Sequence, residues 1–141
     1  MNEAIRNIEP KELWNKFADL NAVPRPSKKE EKVIDFMRNF GENLGLKTLV
    51  DDIGNVIITK PASPGMEDRK AIVMQSHLDM VHQKNNDTDF DFDKQGITMF
   101  VEGDWVKANG TTLGADNGIG VATIMAILES KEIAHPAIDA L

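Results

Sequence analysis

The 141-residue sequence contains no cysteine. This absence excludes disulfide bonds, thiolate metal sites and a cysteine nucleophile, so any metal would have to be held by imidazole and carboxylate groups. The sequence also lacks an apolar run long enough to cross a bilayer, and its first six residues carry no apolar signal core. We therefore expect a soluble, cytoplasmic protein with no membrane partner.

Basic residues are scarce relative to acidic ones. The 16 lysines and arginines face 23 aspartates and glutamates, which gives a net charge of -7. A chain of this charge is repelled by phosphate backbones and by anionic lipid surfaces. Nucleic acid is thus excluded as the expected partner, whereas the 41% of apolar residues is sufficient to bury the core of one modest domain.

The spacing of apolar residues predicts three helices, over about 9–21, from the segment 27–30 to Gly45, and from Asp116 to about Lys131. Ser27 and Glu30 have the spacing of a capping box for the second helix. Asp116 is placed to cap the third, which His135 and the following proline would end.

Short β-rich runs separate these helices. Residues 46–50 and 55–59 flank a turn-forming stretch and predict a hairpin, and residues 97–101 and 105–108 predict another strand pair. Residues 70–76 contain a continuous apolar run typical of a strand covered on both faces, and residues 137–141 resemble the beginning of a further strand. This alternation predicts an α/β layered fold.

The strongest local signal follows the strand predicted at residues 70–76, where His77 and Asp79 occur. Ligands of open α/β sheets gather at the carboxyl ends of strands. Alternate positions of an extended chain project to the same side, so Asp79 can hold the His77 ring in one tautomer, as a metal-binding imidazole requires. Alone, the pattern is more often that of a structural, hydrogen-bonding histidine.

A second motif places a single carboxylate, Asp116, among four glycines at a helix start: Gly110, Gly114, Gly118 and Gly120. Glycines permit positive φ and close backbone approach, neither of which is needed to begin a helix. A simple cap with a flexible lead-in is the alternative. A phosphate or dinucleotide loop is disfavoured because the Walker lysine is absent and the Rossmann glycine spacing is not met.

Together the segments 77–81 and 114–120 closely resemble the M20 metallopeptidases, in particular the cytosolic aminoacyl-histidine (Xaa-His) dipeptidases. The likeness extends to residues 21–27, 72–84 and 104–126 and so covers nearly the whole chain. It implies an α/β/α sandwich of the zinc-peptidase (phosphorylase/hydrolase-like) type. Residues 1–141 would form the amino-terminal portion of the catalytic domain, without the lid and dimerisation domain or the later catalytic segments.

The resemblance also implies residue roles. His77 would be a ligand of one metal ion, Asp79 the catalytic carboxylate behind it, and Asp116 the carboxylate that bridges two ions, followed by a cis peptide bond to Asn117. The cofactors would be two divalent ions, with zinc as the leading metal and cobalt or manganese as alternatives. A shared carboxylate offsets the repulsion between two such ions about 3.5 to 4 Å apart.

The family's Glu-Glu pair, which supplies the general base and a metal ligand, lies downstream of the segment matched here. We therefore expect the 141-residue chain alone to be inactive and to bind zinc weakly, because two ligands cannot complete two tetrahedral shells. The longer protein would hydrolyse dipeptides, either Xaa-His or a broader range, and could form a homodimer through a segment absent here. Another M20 activity, such as tripeptidase or aminoacylase, and a non-catalytic binding module remain the alternatives, and substrate-binding residues are not assigned.

Four aspartates in the acidic stretch 82–95 imitate the start of a calcium loop: Asp87, Asp89, Asp91 and Asp93. Lys94 and Phe100 stand where such a loop needs glycine and a bidentate glutamate, so a solvated acidic loop is the preferred interpretation. Among the remaining candidates, His82 is expected at a rim or in solvent and His135 at a helix terminus. Lys84 is expected to be exposed, with a substrate carboxylate as the alternative partner, whereas Trp14 and Trp105 are expected in the core.

Overall fold

The structure, a computed structural model, describes residues 2–141. Within them the chain forms four helices, α1 (Glu3–Arg6), α2 (Lys11–Asn21), α3 (Glu31–Asn43) and α4 (Ala115–Glu129). The strands are β1 (Lys47–Val50), β2 (Val56–Lys60), β3 (Ile72–Met74), β4 (Met99–Glu102), β5 (Trp105–Ala108) and β6 (Ile138–Ala140). None of the helices in this part of the chain combines the length and apolar character needed to cross a membrane.

Four strands form one mixed sheet in the order β1-β2-β6-β3. The β1–β2 hairpin is antiparallel, β6 pairs antiparallel with β2, and β3 runs parallel to β6. The remaining strands, β4 and β5, form a separate antiparallel hairpin. Both predicted strand pairs, the strand at the end of the chain and the α/β class are confirmed.

Strand β3 differs from its prediction. Ile72 is 42% exposed and Val73 is 67% exposed, and since successive residues of a strand point to opposite faces, neither face of β3 is fully covered at this edge of the sheet. The prediction that this strand is covered on both faces is therefore wrong for the described chain. A continuous apolar run marked the strand correctly but could not report which faces are packed.

The three long helices lie where the apolar spacing predicts them, and a short unpredicted helix, α1, buries Ile5 beside them. One buried cluster lies between α3, α4 and the large sheet, and includes Val33, Ile58 and Met125. A second cluster joins α1, α2 and the β4–β5 hairpin around Phe17. Helices α2 and α4 pack together, so the cores meet along this helix pair.

The positions of Trp14 and Trp105 test the prediction that both tryptophans belong to the core. Trp14 is partly buried, and its ring lies edge-on to that of Phe17 at 5.9 Å between centroids. Trp105 is 71% exposed on the β4–β5 hairpin, so the prediction that it belongs to the core is wrong. One face of a two-stranded hairpin can face solvent. The alternation of residues alone does not show which face carries the tryptophan.

The end of α4 also departs from its prediction. The helix ends at Glu129, before His135, which is buried in the following loop rather than placed at the helix terminus. The His135 N–H donates to the Ser63 hydroxyl at 2.9 Å, and its ring Nδ1 contacts the Pro136 carbonyl at 2.7 Å. Lys60, not His135, supplies the cation at this helix end, because its ammonium donates to the carbonyls of Ile127 and Ser130.

We expect Lys60→Met to lower the free energy of unfolding by about 1–2 kcal/mol, because it leaves helix-end carbonyls without their charged donor. Partial burial already lowers the pKa of Lys60, which is consistent with an ammonium held against the protein. Urea unfolding measures the difference, with Lys47→Met on the neighbouring strand β1 as an exposed control. Equal effects of the two substitutions would contradict a specific role of Lys60.

Candidate metal site

The side chains of His77 and Asp116 meet at one end of the large sheet. His77 follows β3 by three residues, and Asp116 lies at the beginning of α4. The distance from His77 Nε2 to Asp116 Oδ1 is 3.2 Å, although 39 positions separate the two residues in the sequence. The His77 side chain is 47% exposed and that of Asp116 98% exposed, so the pair is open to a ligand from solvent.

Asp79 holds the other side of the imidazole ring. Its Oδ1 lies 3.1 Å from His77 Nδ1, and its backbone carbonyl lies at the same distance from that nitrogen. Both oxygens are acceptors, so the Nδ1 of His77 carries a proton and donates it. In the protonated ring Nε2 also donates, to Asp116, whereas the neutral ring in this tautomer leaves the lone pair of Nε2 free for a metal ion, which is the arrangement expected from the sequence.

The two carboxylates also control the proton affinity of the ring. Partial burial lowers the pKa of His77, but hydrogen bonds with Asp116 and Asp79 outweigh it and raise the pKa above its ordinary value. The pKa of Asp79 is lowered, first by a hydrogen bond from Ser27 and then by the bond from His77. Asp79 is therefore ionised at neutral pH and remains an acceptor for the ring.

Ser27 is a site residue that the sequence pattern did not assign. Its hydroxyl donates to Asp79 Oδ2 at 2.5 Å, which leaves Oδ1 of the same carboxylate for His77. The predicted capping box is wrong, since Glu30 accepts the Lys28 N–H and no side chain caps α3. The family-like segment 21–27 was the available signal, but serine spacing alone suits a helix start equally well.

The beginning of α4 frees the carboxylate of Asp116. Gly114 has φ 74°, Asp116 and Asn117 have non-helical φ and ψ, and the peptide bond between them is cis, as the family resemblance implied. The Asn117 side chain accepts the Gly120 N–H at 3.1 Å, three residues onward, which is the geometry of a capping side chain. The prediction that Asp116 caps the helix is wrong, because Asn117 takes that role.

Arg25 lies directly beneath the site and is only 1% exposed. Its Nη1 donates to the Leu78 carbonyl at 3.0 Å, and its Nη2 donates to the Gly114 carbonyl at 2.8 Å. Nη2 also donates to the Asn21 side-chain oxygen at 2.7 Å. Burial lowers the pKa of Arg25 to about 10, although nearby Asp79 opposes this, and the guanidinium remains charged at neutral pH.

Two of the motif glycines give Arg25 its space. A Cβ added at Gly114 would lie 2.5 Å from Arg25 Nη2, and one added at Gly118 would lie 2.7 Å from the same atom. Both separations are too short for any real Cβ contact, so a side chain at either position would displace the guanidinium. The close approach predicted for these glycines is confirmed, and the group that approaches is an arginine of the same chain.

The geometry of His77 and Asp116 fits a shared metal ion. Two ligands bound to tetrahedral zinc at about 2.0–2.1 Å lie about 3.3 Å apart, and the observed separation is 3.2 Å. Imidazole nitrogen and carboxylate oxygen are both zinc ligands. Within residues 2–141, no group of three or more His, Cys, Asp and Glu side chains gathers around a single point, so the described chain offers a pair of ligands rather than a full set.

A pocket of about 410 Å³ adjoins the site. His77, Asp79 and Gln75 line one part of it, and the rest is largely apolar, with side chains from α3, β2, α4 and β6. An apolar cavity beside a few convergent polar groups is the usual form of a small-molecule site. The pocket lies next to the ligand pair.

The remaining candidate residues lie elsewhere in the described chain. The acidic stretch is a loop as predicted, and within it Asp93 forms an ion pair with Lys29 at 2.5 Å. His82 is exposed as expected, with its ring edge-on to that of Phe92. Lys84 is also exposed, and its ammonium donates to the Thr88 carbonyl.

Comparisons with known proteins show that the chain is similar to parts of longer peptidases. No protein-family model matches the chain. It is 44% identical over 137 residues to the cytosol non-specific dipeptidase of Escherichia coli (strain K12), a match that covers 97% of this chain and 28% of that protein. The chain therefore spans less than a third of the length of its curated relative.

Solved structures give the same result. The aminoacylhistidine dipeptidase from Vibrio alginolyticus matches with a TM-score of 0.95 and 46% identity, over 99% of this chain and 29% of that one. Aminopeptidase PepT from Bacillus cereus matches with a TM-score of 0.71 and 26% identity, over 94% of this chain and 36% of that one. A Staphylococcus aureus tripeptidase, 21% identical with a TM-score of 0.72 over 94% of this chain and 36% of its own, supports the fold alone.

Proposed function

We propose that this chain, a close homologue of the two dipeptidases over nearly all of its own length, supplies part of the metal centre of a dipeptidase. His77 and Asp116 are the proposed metal ligands, and Asp79 is the proposed catalytic carboxylate that fixes the His77 ring. The observation that carries the proposal is the convergence of these three side chains at contacts of 3.1 and 3.2 Å. Residues 1–141 then form the amino-terminal portion of an M20-type catalytic domain.

The donor set favours divalent metals of borderline softness. Zinc is the proposed metal, with cobalt or manganese as alternatives, because imidazole with carboxylate suits all three and zinc commonly binds both. One oxygen of Asp116 faces His77, and the exposure of this carboxylate leaves its other oxygen available to a second ion. This exposure is consistent with a bridging role for Asp116.

The residues of this chain orient the site, whereas the bond to be broken belongs to the substrate. Asp79 holds a proton on His77 Nδ1 and so keeps Nε2 as a ligand atom, and Ser27 fixes the Asp79 carboxylate. When bound, a pair of divalent ions polarises a peptide carbonyl and lowers the pKa of water so that hydroxide is available at neutral pH. The proton of that water would be taken by a carboxylate of the Glu pair expected from the family, which lies outside these 141 residues.

The proposed substrates are dipeptides, either Xaa-His or a broader range, hydrolysed by the longer protein in the cytoplasm. The identities favour this choice, since they are 44% and 46% to the named dipeptidases but 26% to the aminopeptidase. An aminoacylase would use the same metal chemistry with a different pocket. Assays of the longer protein with Xaa-His dipeptides, other dipeptides and tripeptides separate these activities, and a preference for tripeptides would overturn the assignment.

The 141-residue chain should bind zinc weakly and through His77. We expect a single binding event with a dissociation constant in the micromolar range or weaker, since two ligands leave the coordination shell incomplete. Affinity should fall as pH drops through the raised pKa of His77, because a protonated ring cannot ligate the metal. Calorimetry from pH 5.5 to 8, with His77→Ala as the matched variant and His82→Ala as the control, measures both effects.

Two results of this titration would contradict the proposal. Zinc binding that His77→Ala leaves unchanged would show that the ligand pair is not the site. Tight binding of two ions by the wild-type chain would show that the residues present already complete both coordination shells. A stand-alone, metal-free binding module, the alternative from a different functional class, predicts no zinc response at His77 at any pH.

A further inference from the structure

We propose that Arg25 is the positioning residue of this site, and that its guanidinium sets the separation between the segment carrying His77 and the segment carrying Asp116. The inference rests on the proposed metal site and adds to it a residue that contacts neither metal nor substrate. Arg25 acts through the backbone on both sides of the ligand pair.

The contacts of Arg25 reach both motifs at once. Nη1 donates to the carbonyl of Leu78, the residue between His77 and Asp79, and Nη2 donates to the carbonyl of Gly114, two residues before Asp116. The planar guanidinium holds its donors in a fixed fork, so the positions of these two carbonyls are set relative to each other. A lysine, with one ammonium on a flexible stem, could satisfy one segment but could not fix the distance between both.

The surroundings of Arg25 are built to keep it in this position. The Arg25 carbonyl accepts the Met80 N–H at 3.0 Å, and the Ser27 N–H donates to the Met80 carbonyl at 3.1 Å, so residues 25–27 pair with the backbone beyond Asp79. Asn21, which is fully buried, accepts from Nη2 and donates to the Leu113 carbonyl at 3.0 Å. The arginine is thus fixed from its own backbone and from its guanidinium.

A purely structural role does not explain why a cation is buried at position 25. No carboxylate forms an ion pair with Arg25 among the described residues, and its Nε has no hydrogen-bond partner in that part of the chain. Burying such a cation is unfavourable unless its hydrogen bonds compensate, and apolar replacements of buried charges are often equally stable. The feature that an apolar side chain could not reproduce is the simultaneous bond to both ligand-bearing segments.

Two substitutions test the inference from different directions. Arg25→Lys keeps the charge but loses the fork, and Gly118→Ala keeps the arginine but places a methyl group 2.7 Å from Nη2 and 2.9 Å from the Phe17 ring. Arg38→Lys is the matched control, because Arg38 is an exposed arginine of α3 paired with Asp35. Circular dichroism and urea unfolding identify the variants that are folded before any further measurement.

The decisive readouts are the ring ¹⁵N signals of His77, without and with zinc, and the zinc affinity obtained from the same titration. In Arg25→Lys and Gly118→Ala we expect altered His77 signals in the zinc-free chain and about tenfold weaker zinc binding, at the lower end of the effect of residues that orient metal ligands. Arg38→Lys should match the wild type in both. If Arg25→Lys does not fold, Gly118→Ala decides.

The outcomes distinguish a failure of the positioning role of Arg25 from a failure of the proposed metal site. Folded variants with wild-type His77 signals and wild-type zinc affinity would overturn the role of Arg25, even if their unfolding free energies are lower. A wild-type chain in which zinc leaves the His77 signals unchanged would instead overturn the proposed metal site. In that case the zinc-free signals still show whether Arg25 positions the His77 ring.

Discussion

Asp116→Asn in the longer protein should reduce dipeptide hydrolysis by more than about 100-fold, which exceeds the usual effect of altering residues that merely support metal ligands. Asparagine is nearly identical in size, but its neutral side chain cannot offset the repulsion between two divalent ions. The helix should remain intact, because Asn117 rather than Asp116 accepts the Gly120 N–H at its beginning. Steady-state hydrolysis of a dipeptide, with metal content measured alongside, tests this expectation.

The control for this substitution is Asp104→Asn, which removes an exposed carboxylate from the turn between β4 and β5. It should leave both turnover and metal content unchanged. Turnover that survives Asp116→Asn at the wild-type level would eliminate the bridging role, whereas equal losses in both variants would point to a general effect of net charge. In the 141-residue chain the same Asp116→Asn change should weaken zinc binding without changing the unfolding midpoint.

The second large effect is expected at Phe17, whose side chain is completely buried at the contact of α2 with α4. Phe17→Ala should lower the free energy of unfolding by about 3–5 kcal/mol, the usual cost of removing a buried ring and leaving a cavity. That loss is a large part of the total stability of a typical domain, which is about 5–15 kcal/mol. Urea denaturation followed by circular dichroism gives the value directly.

Trp105→Ala is a suitable comparison because it removes an even larger aromatic side chain that is 71% exposed. Its effect should remain within about 0.5 kcal/mol, as for most surface substitutions. If Trp105→Ala lowered the free energy of unfolding as much as Phe17→Ala, the Trp105 side chain would have to be packed, and not exposed, in solution. The Phe17 ring also lies near Gly118, two residues after Asp116. Phe17→Ala should therefore also weaken zinc binding in any remaining folded protein.

The sequence was most informative where local periodicity and short motifs suffice. It predicted α2, α3 and α4, both hairpins and the final strand, and it identified His77, Asp79 and Asp116 as the residues of interest. Helices and strands have repeat lengths that a single segment displays, so apolar spacing reveals them without knowledge of neighbours. The contact between Asp79 and the His77 ring was equally accessible, because two residues in one extended segment determine it.

The errors share a different origin. The capping box at Ser27, the cap at Asp116, the two-sided burial of β3 and the core position of Trp105 all required knowledge of what lies opposite each residue. Ser27 has two acceptable partners, a helix start and the carboxylate of Asp79, and only the folded chain brings the second one within 2.5 Å. Side chains with several possible hydrogen-bond partners are resolved by tertiary contacts and not by their spacing.

By itself, the sequence determined the three long helices, the strands, their α/β order and the chemical nature of the three side chains at the candidate site. The tertiary structure alone decided that His77 and Asp116 lie 3.2 Å apart and that Arg25 bonds both segments beneath them. The reason is that these contacts join residues 39 or more positions apart. Their separation depends on how the sheet and α4 pack together, and no local pattern records that packing.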